Sequence, residues 1–261
     1  MTRGIPQKTL GIIPARWAST RFPGKPLQLI AGKPLLEHVW EQSQRATKLD
    51  HVVIATDDFR IAKAAFNWGA EVALTSAKHR SGTDRVAEVA KKNRQFAHII
   101  NIQGDEPMID PKLIDRLVHE LQREPELEMI TAAHPFHNPR DAESPNQVKV
   151  VIDLEGFALY FSRSRIPAAP AGHWPKRAGM FLRHQGIYGY RRKTLLQLVR
   201  WESSPLERAE SLEQLRALEN GVRIKVVLTS GGSPGVDTPK DARMIERLII
   251  SAGQRNPKSQ R

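Results

Sequence analysis

The sequence predicts an α/β fold, with a mainly parallel sheet flanked by helices and a small antiparallel lobe. Three observations carry that expectation. Short apolar runs alternate with amphipathic ones through the first half of the chain. The second half switches to paired apolar runs separated by turn residues. Segments dense in Gly, Pro and charge follow directly after the apolar runs.

Taken in order, Leu10–Ile13, Val52–Ala55, Val72–Leu74, Ile99–Ile102 and Met129–Ala132 read as short buried strands. Between them Leu35–Arg45, Arg60–Trp68, Asp84–Lys92 and Pro111–Arg123 place apolar residues at helical spacing. Repeated strand–helix units imply right-handed crossovers and helices on both sheet faces. Ligands in such sheets bind beyond the carboxyl ends of the strands. Further on, Val148–Asp153 and Phe157–Arg163 flank Leu154-Glu155-Gly156 as a hairpin. Ile166–Gly179 is rich in Pro, Gly and Ala and reads as a loop or lid, and Arg183–Arg192 as another strand. A helix from about Leu206 is closed by Asn220-Gly221. A strand over Ile224–Leu228 then leads to a terminal helix from about Pro239. There is no internal repeat. A single domain over residues 1–261 is expected, with the antiparallel lobe at approximately 148–192.

Composition narrows the chemistry. The chain has 261 residues, 40% hydrophobic and 26% charged, as in an ordinary globular protein. It contains no cysteine, which excludes disulfides, thiolate metal sites and cysteine nucleophiles. No apolar run approaches the roughly 18 residues of a membrane span, and MTRGIPQKT lacks a signal-peptide core. A cytoplasmic protein is expected. The net charge of +12 suits either nucleic acid or strongly anionic substrates. The cations are dispersed and no zinc-finger or RNA-binding aromatic motif accompanies them, which favours anionic substrates.

Four loops carry candidate chemistry. Within IIPARWASTRFPGKPL (Ile12–Leu27), a strand gives way at Pro14 to Arg16, Arg21 and Lys25 among Ser19, Thr20 and Gly24. Backbone N–H groups and small side chains admit phosphate closely, and the cations offset its charge. The Walker spacing is absent, and a solvated proline-rich connection is the competing reading. NIQGDEP (Asn101–Pro107) sets Asp105 and Glu106 at a strand end, with Gly104 for a tight backbone and Pro107 fixing the exit. GVDTP sets Asp237 before the last helix. Two such carboxylates opposite a phosphate loop can hold a hard divalent ion, magnesium rather than zinc. Asp105 equally suits a turn, and Asp237 an N-cap or Asx turn. HRSGTDR (His79–Arg85) offers Ser81, Gly82 and Thr83 to a base or sugar, or merely caps a helix.

Together these runs resemble the 3-deoxy-manno-octulosonate cytidylyltransferases, or CMP-Kdo synthetases. IIPARWASTRFPGKPL, HRSGTDR, NIQGDEPMI, PNQVKVVID, ALYFSRSRIP, FLRHQGIYGYRR, SPLERAESLEQLRALENG and GVDTP occur in family order, from about Leu10 to Ile249. The chain departs in its extended basic start, in Trp17 where tyrosine is usual, in the short Ile166–Gly179 loop and in its basic tail.

The resemblance implies a Rossmann-like nucleotidyltransferase sheet and transfer of CMP from CTP to the anomeric hydroxyl of Kdo, an eight-carbon acidic sugar, for lipopolysaccharide synthesis. It implies Arg16 and Lys25 on the triphosphate and Asp105 and Asp237 on Mg²⁺. Gln103 and the Ser81, Gly82, Thr83 and Arg85 loop would face the nucleotide. Arg163, His184, Tyr188, Glu213 and Gln214 match the sugar-binding positions. Read alone, His184 and Tyr188 also suit strand packing, and Glu213 and Gln214 an exposed helix face. A homodimer built through the antiparallel lobe is further implied. Synthetases for an acylneuraminate or an amino-Kdo, a silent relative and a basic nucleic-acid-binding protein are the rivals.

Overall fold

The computed structural model describes residues 7–18, 22–136, 138–168 and 180–255. Ser19, Thr20, Arg21, most of the expected lid (169–179) and the basic tail lie outside the described residues. The strands belong to a mixed, mostly parallel sheet flanked by helices, together with a small two-stranded antiparallel sheet. Two compact units divide the chain. One holds residues 10–93, 101–115 and 233–261, the other residues 1–9, 94–100 and 116–232.

The first unit is built on β1 (Thr9–Ala15), a short hairpin of β2 (Leu29–Ile30) and β3 (Lys33–Pro34), α1 (Leu35–Gln44), β4 (His51–Thr56), α2 (Phe59–Asn67), β5 (Glu71–Leu74) and α3 (Gly82–Lys92). β1 runs parallel to β4 from Leu10↔His51 to Ala15↔Thr56, and β4 parallel to β5. Leu10, Ile12, Ile13, Ile54 and Ala55 have no exposed surface, as β-branched and apolar runs covered on both faces require. The Val72–Leu74 run departs from expectation: among the described residues β5 pairs with β4 alone, and it is partly exposed, with Leu74 half out. A four-residue apolar run does not reveal whether its strand will be covered or lie at an edge.

In the second unit lie β6 (His98–Asn101), most of α4 (Pro111–Arg123), β7 (Met129–Pro135), β8 (Lys149–Ile152), β9 (Ala158–Ser162), β10 (Leu182–Arg191), α5 (Arg192–Leu198), α6 (Pro205–Glu210), α7 (Gln214–Glu219) and β11 (Ile224–Leu228). β11 is parallel to β7, while β10 is antiparallel to both β7 and β8. β8 and β9 form the expected hairpin, its turn closed by Gly156 at φ 82°. The terminal helix, α8 (Pro239–Arg255), returns to the first unit. No helix among the described residues is long and apolar enough to cross a membrane.

The helix expected from Leu206 to Asn220 is two helices. Ser211 takes a left-handed conformation (φ 52°) between α6 and α7. The acidic residues explain the break. The Glu210 carboxylate accepts from Ser162 Oγ at 2.6 Å and the Arg163 N–H at 2.9 Å. Glu207 on α6 accepts across the break from Arg216 on α7 at 2.5 and 2.8 Å. Tertiary hydrogen bonds therefore override a strong local helix propensity.

Candidate functional site

The nucleotide-side residues meet in an open pocket of about 440 Å³ within the first unit. Its walls are Pro14, Ala15 and Arg16 after β1, Lys25 and Pro26, the His79–Gly82 segment with Arg85, the turn Gln103–Asp105, and Asp237. Every one of these groups lies at or beyond a strand's carboxyl end, as an α/β layer dictates.

Local structure fixes the members in turn. Gly24 adopts φ +69°, a left-handed conformation that costs glycine little, and packs near the Trp17 ring. The Arg60 guanidinium lies 3.5 Å from the centroid of the same Trp17 ring, a cation–π contact. Gly104 permits a close crossing: a Cβ there would stand 2.8 Å from the Pro14 carbonyl oxygen. Below the pocket Phe22, Ile30, Leu35, Val236, Ala242 and Ile245 form one buried cluster. Each large side chain so buried contributes roughly 1.5–3 kcal/mol. That cluster ties the segment before Lys25 to the segment before Asp237.

Lys25 is the centre of the arrangement. Its ammonium donates to Asp105 Oδ2 at 2.7 Å and to the Val236 carbonyl at 2.9 Å, and lies 3.6 Å from Asp237 Oδ1. The Val236 N–H in turn donates to the Asp105 carbonyl at 2.9 Å. Two carboxylates 132 positions apart (237 − 105) thus share one cation. The helix-capping alternative for Asp237 fails, because Thr238 caps α8. Thr238 Oγ1 accepts from the Asp241 N–H at 3.3 Å, and the Asp241 carboxylate accepts from the N–H groups of Asp237 and Thr238. Asp237 keeps its carboxylate about half exposed at the pocket.

Ser81 caps α3 in a reciprocal box with Asp84, as the capping reading of HRSGTDR has it, and also lines the pocket. Thr83 is buried and does not line the pocket. Arg85 is only 4% exposed, its guanidinium 3.0 Å from Asp57 and bonded to Thr75 Oγ1. His79 and Arg80 line the wall although sequence reasoning had singled out only their neighbours; their place in the same motif was the available signal. Arg16 lies exposed on the pocket rim. Among the described residues no group of three or more His, Cys, Asp or Glu is placed to hold a metal ion. Asp105 and Asp237 are the two carboxylates in the pocket lining, both oxygen donors of the hard type.

The five sugar-side candidates all lie in the second unit. β10 carries a bulge between Gln185 and Tyr188, after which Tyr188 pairs with Thr131. His184 Nε2 stands 3.0 Å from Thr131 Oγ1, whose own hydroxyl has the Ile187 carbonyl at 2.8 Å. Since that hydroxyl donates to the carbonyl, it accepts from His184, which leaves Nδ1 as an acceptor. Burial pushes the His184 pKa down to about 3, so the ring is neutral. Its ring centroid is 5.3 Å from that of Tyr188. Burial, with smaller contributions from Tyr190 and Glu213, holds the Tyr188 hydroxyl neutral well above pH 10. Tyr188 Oη is buried with no hydrogen-bond partner among the described residues. A buried hydroxyl donor thus stands beside a neutral imidazole acceptor.

Gln214 is 7% exposed at the first turn of α7, with Glu213 just before it, so the exposed-face alternative does not hold for Gln214. Arg163 is more committed than its sequence suggested. Its guanidinium donates to the carbonyls of Glu210 (2.8 Å), Pro145 (3.1 Å) and Ser211 (3.3 Å). Lys149, fully buried on β8, donates to the Arg163 carbonyl and to Ser144 at 3.0 Å.

Known proteins supply the remaining evidence. Residues 10–224 match the family model for cytidylyltransferase. The 3-deoxy-manno-octulosonate cytidylyltransferase of Solibacter usitatus is 50% identical over 248 residues, covering 94% of this chain and 96% of the relative. The maize (Zea mays) protein of the same name is 45% identical, covering 94% of this chain and 82% of its own. A solved CMP:2-keto-3-deoxy-manno-octonic acid synthetase complexed with CTP aligns with a TM-score of 0.89 and 39% identity, covering 94% of this chain and all of that one. The 4-diphosphocytidyl-2C-methyl-D-erythritol synthase of Anaerococcus prevotii, at 14% identity and a TM-score of 0.62, covers 94% of this chain and all of its own and shares the fold. From its motifs, its fold and its full-length relatives, the chain belongs to the cytidylyltransferases, within the 3-deoxy-manno-octulosonate cytidylyltransferase family.

Proposed function

We propose that this chain transfers CMP from CTP to the anomeric hydroxyl of 3-deoxy-D-manno-octulosonate, releasing pyrophosphate. The observation that carries the reading is the convergence of Lys25, Asp105 and Asp237 in one pocket whose other wall is the start of α3. As the sugar oxygen bonds to the α-phosphorus, the bond to the bridging β-phosphate oxygen breaks and the hydroxyl proton is released. Such a reaction needs positioning and charge neutralisation more than covalent help from the protein. Lys25 and Arg16 supply positive charge for the triphosphate and the departing pyrophosphate. Ser81 and Gly82 present small groups at a helix start, where phosphate or sugar oxygens approach closely.

Asp105 and Asp237 would hold magnesium, with phosphate oxygens and water completing the shell. When bound, the ion neutralises phosphate charge and acidifies an attacking hydroxyl. On the sugar side, His184 Nδ1 accepts and Tyr188 Oη donates, a complementary pair for a polyhydroxylated acid. The Gln214 amide has both capacities. The family reading also implies a cytoplasmic homodimer serving lipopolysaccharide synthesis. β9, which among the described residues pairs with β8 alone and exposes Leu159, is compatible with that association.

Pyrophosphate release with CTP and Mg²⁺, across Kdo, its amino analogue and an acylneuraminate, tests the reading. Turnover should require CTP and be fastest with Kdo. Preference for another sugar, or salt-sensitive nucleic-acid binding without turnover, would replace it.

A further inference from the structure

His79, Arg80 and Ser81 line the pocket from an irregular segment between β5 and α3. Such a segment keeps one shape only when its polar groups have fixed partners. Two residues of α3 provide them. Arg85 takes Thr75 Oγ1, at the start of the segment. One turn further on, Glu88 Oε2 accepts from the Ser76 N–H at 2.9 Å and from His79 Nε2 at 2.7 Å. Its other oxygen takes Lys92 Nζ at 2.7 Å. Lys92, the Ser76 N–H and His79 together bring the Glu88 carboxyl down to about 2 despite partial burial. An ionised carboxylate only accepts, so His79 must donate from Nε2, and its ring orientation is thereby set. Glu88 itself stands outside the pocket lining.

We propose that Glu88 is a positioning residue for the nucleotide. It binds the beginning of the segment through Ser76 and its middle through His79, and so presets the wall formed by residues 79–81. The proposal rests on reading that pocket as the CTP site. Without Glu88, CTP would have to order the segment on binding. That cost falls on nucleotide affinity and not on the chemical step, which involves groups on other loops.

The test compares Glu88→Ala, Glu88→Gln and the control Lys92→Ala, which removes only the partner on the same helix. Steady-state kinetics and calorimetric CTP titration are measured on each. Glu88→Ala should raise the CTP KM and Kd about tenfold, with kcat at saturating CTP within about twofold and the sugar KM unchanged. Glu88→Gln, which keeps one oxygen for Ser76, should lose about two- to threefold. Lys92→Ala should match the parent protein. Unchanged CTP affinity in Glu88→Ala, or a fall in kcat with normal affinity, overturns the proposal. If Glu88→Ala does not fold, unchanged CTP affinity in Glu88→Gln overturns it. Absence of turnover in the parent protein would instead overturn the functional reading, while the titration still tests Glu88.

Discussion

Lys25 Nζ lies 2.7 Å from Asp105 Oδ2, joining residues 80 positions apart. The contact lets one pocket hold two carboxylates close together. The ammonium balances their charge within the protein and lies beside the place where phosphate and a metal ion would add charges of both signs.

Lys25→Ala should therefore lower kcat/KM for CTP by about a hundredfold, because it removes positive charge aimed at the phosphates. The sugar KM should change little. Lys25→Arg should recover only part of the loss, since a planar fork cannot reproduce a compact ammonium held by Asp105 and the Val236 carbonyl. Full activity in Lys25→Ala would reduce the Arg16–Lys25 loop to a structural connection.

Asp237 and Thr238 are adjacent but differ in what their side chains touch. Thr238 caps α8, whereas Asp237 turns an exposed carboxylate to the pocket. Asp237→Asn should keep stability within about 0.5 kcal/mol of the parent and lose most Mg²⁺-dependent turnover. Thr238→Ala should instead cost about 1 kcal/mol, lowering Tm by about 2–4 °C, with smaller losses in turnover. Thermal melts beside Mg²⁺ titrations of activity distinguish the two. Equal destabilisation by both substitutions would contradict the capping assignment.

The pocket's loops were legible because each follows a short apolar run and is marked by Gly, Pro and charge. Gly104 and Gly24 are needed for close approach and for a left-handed turn, which single-residue chemistry discloses. The break at Ser211 was not legible. It accompanies the binding of Ser162 and Arg163 by the Glu210 carboxylate at the end of α6, and a helical pattern does not reveal distant partners. Arg163 was unreadable for the same reason: as a motif residue it suggests a cation for a carboxylate, yet backbone carbonyls hold three of its N–H groups. The short α5 went unanticipated because Arg192–Leu198 directly continues a strand without an intervening turn residue.

Tyr188→Phe should give opposite answers in two measurements. Its buried Oη has no partner among the described residues, so removing it takes away an uncompensated desolvation cost. Urea unfolding should show stability equal to the parent or higher by about 1 kcal/mol. Sugar KM should rise several-fold, about 1 kcal/mol in binding, with CTP affinity retained. A large loss of stability with unchanged sugar kinetics would make Tyr188 a packing residue alone.

Acid should weaken the second unit through His98. This ring has no exposed surface, and burial, reinforced by the Arg191 guanidinium, pushes its pKa down to about 4 from an ordinary 6.5. Nε2 faces Arg191 Nη1 at 3.4 Å, so it serves as an acceptor and protonation would set two cations against each other. In the unfolded chain the ring takes up a proton as pH falls through 6.5, whereas in the folded chain it resists until about 4. The unfolded state binds more protons in that window, so stability must fall as pH is lowered through it. Between pH 7 and pH 5 the decline from His98 should be roughly 1–2 kcal/mol. His98→Gln keeps an acceptor for Arg191 but cannot titrate, and should flatten the dependence. Urea unfolding of both proteins at pH 7, 6 and 5 makes the comparison. Parallel curves would show that His98 is not the group responsible.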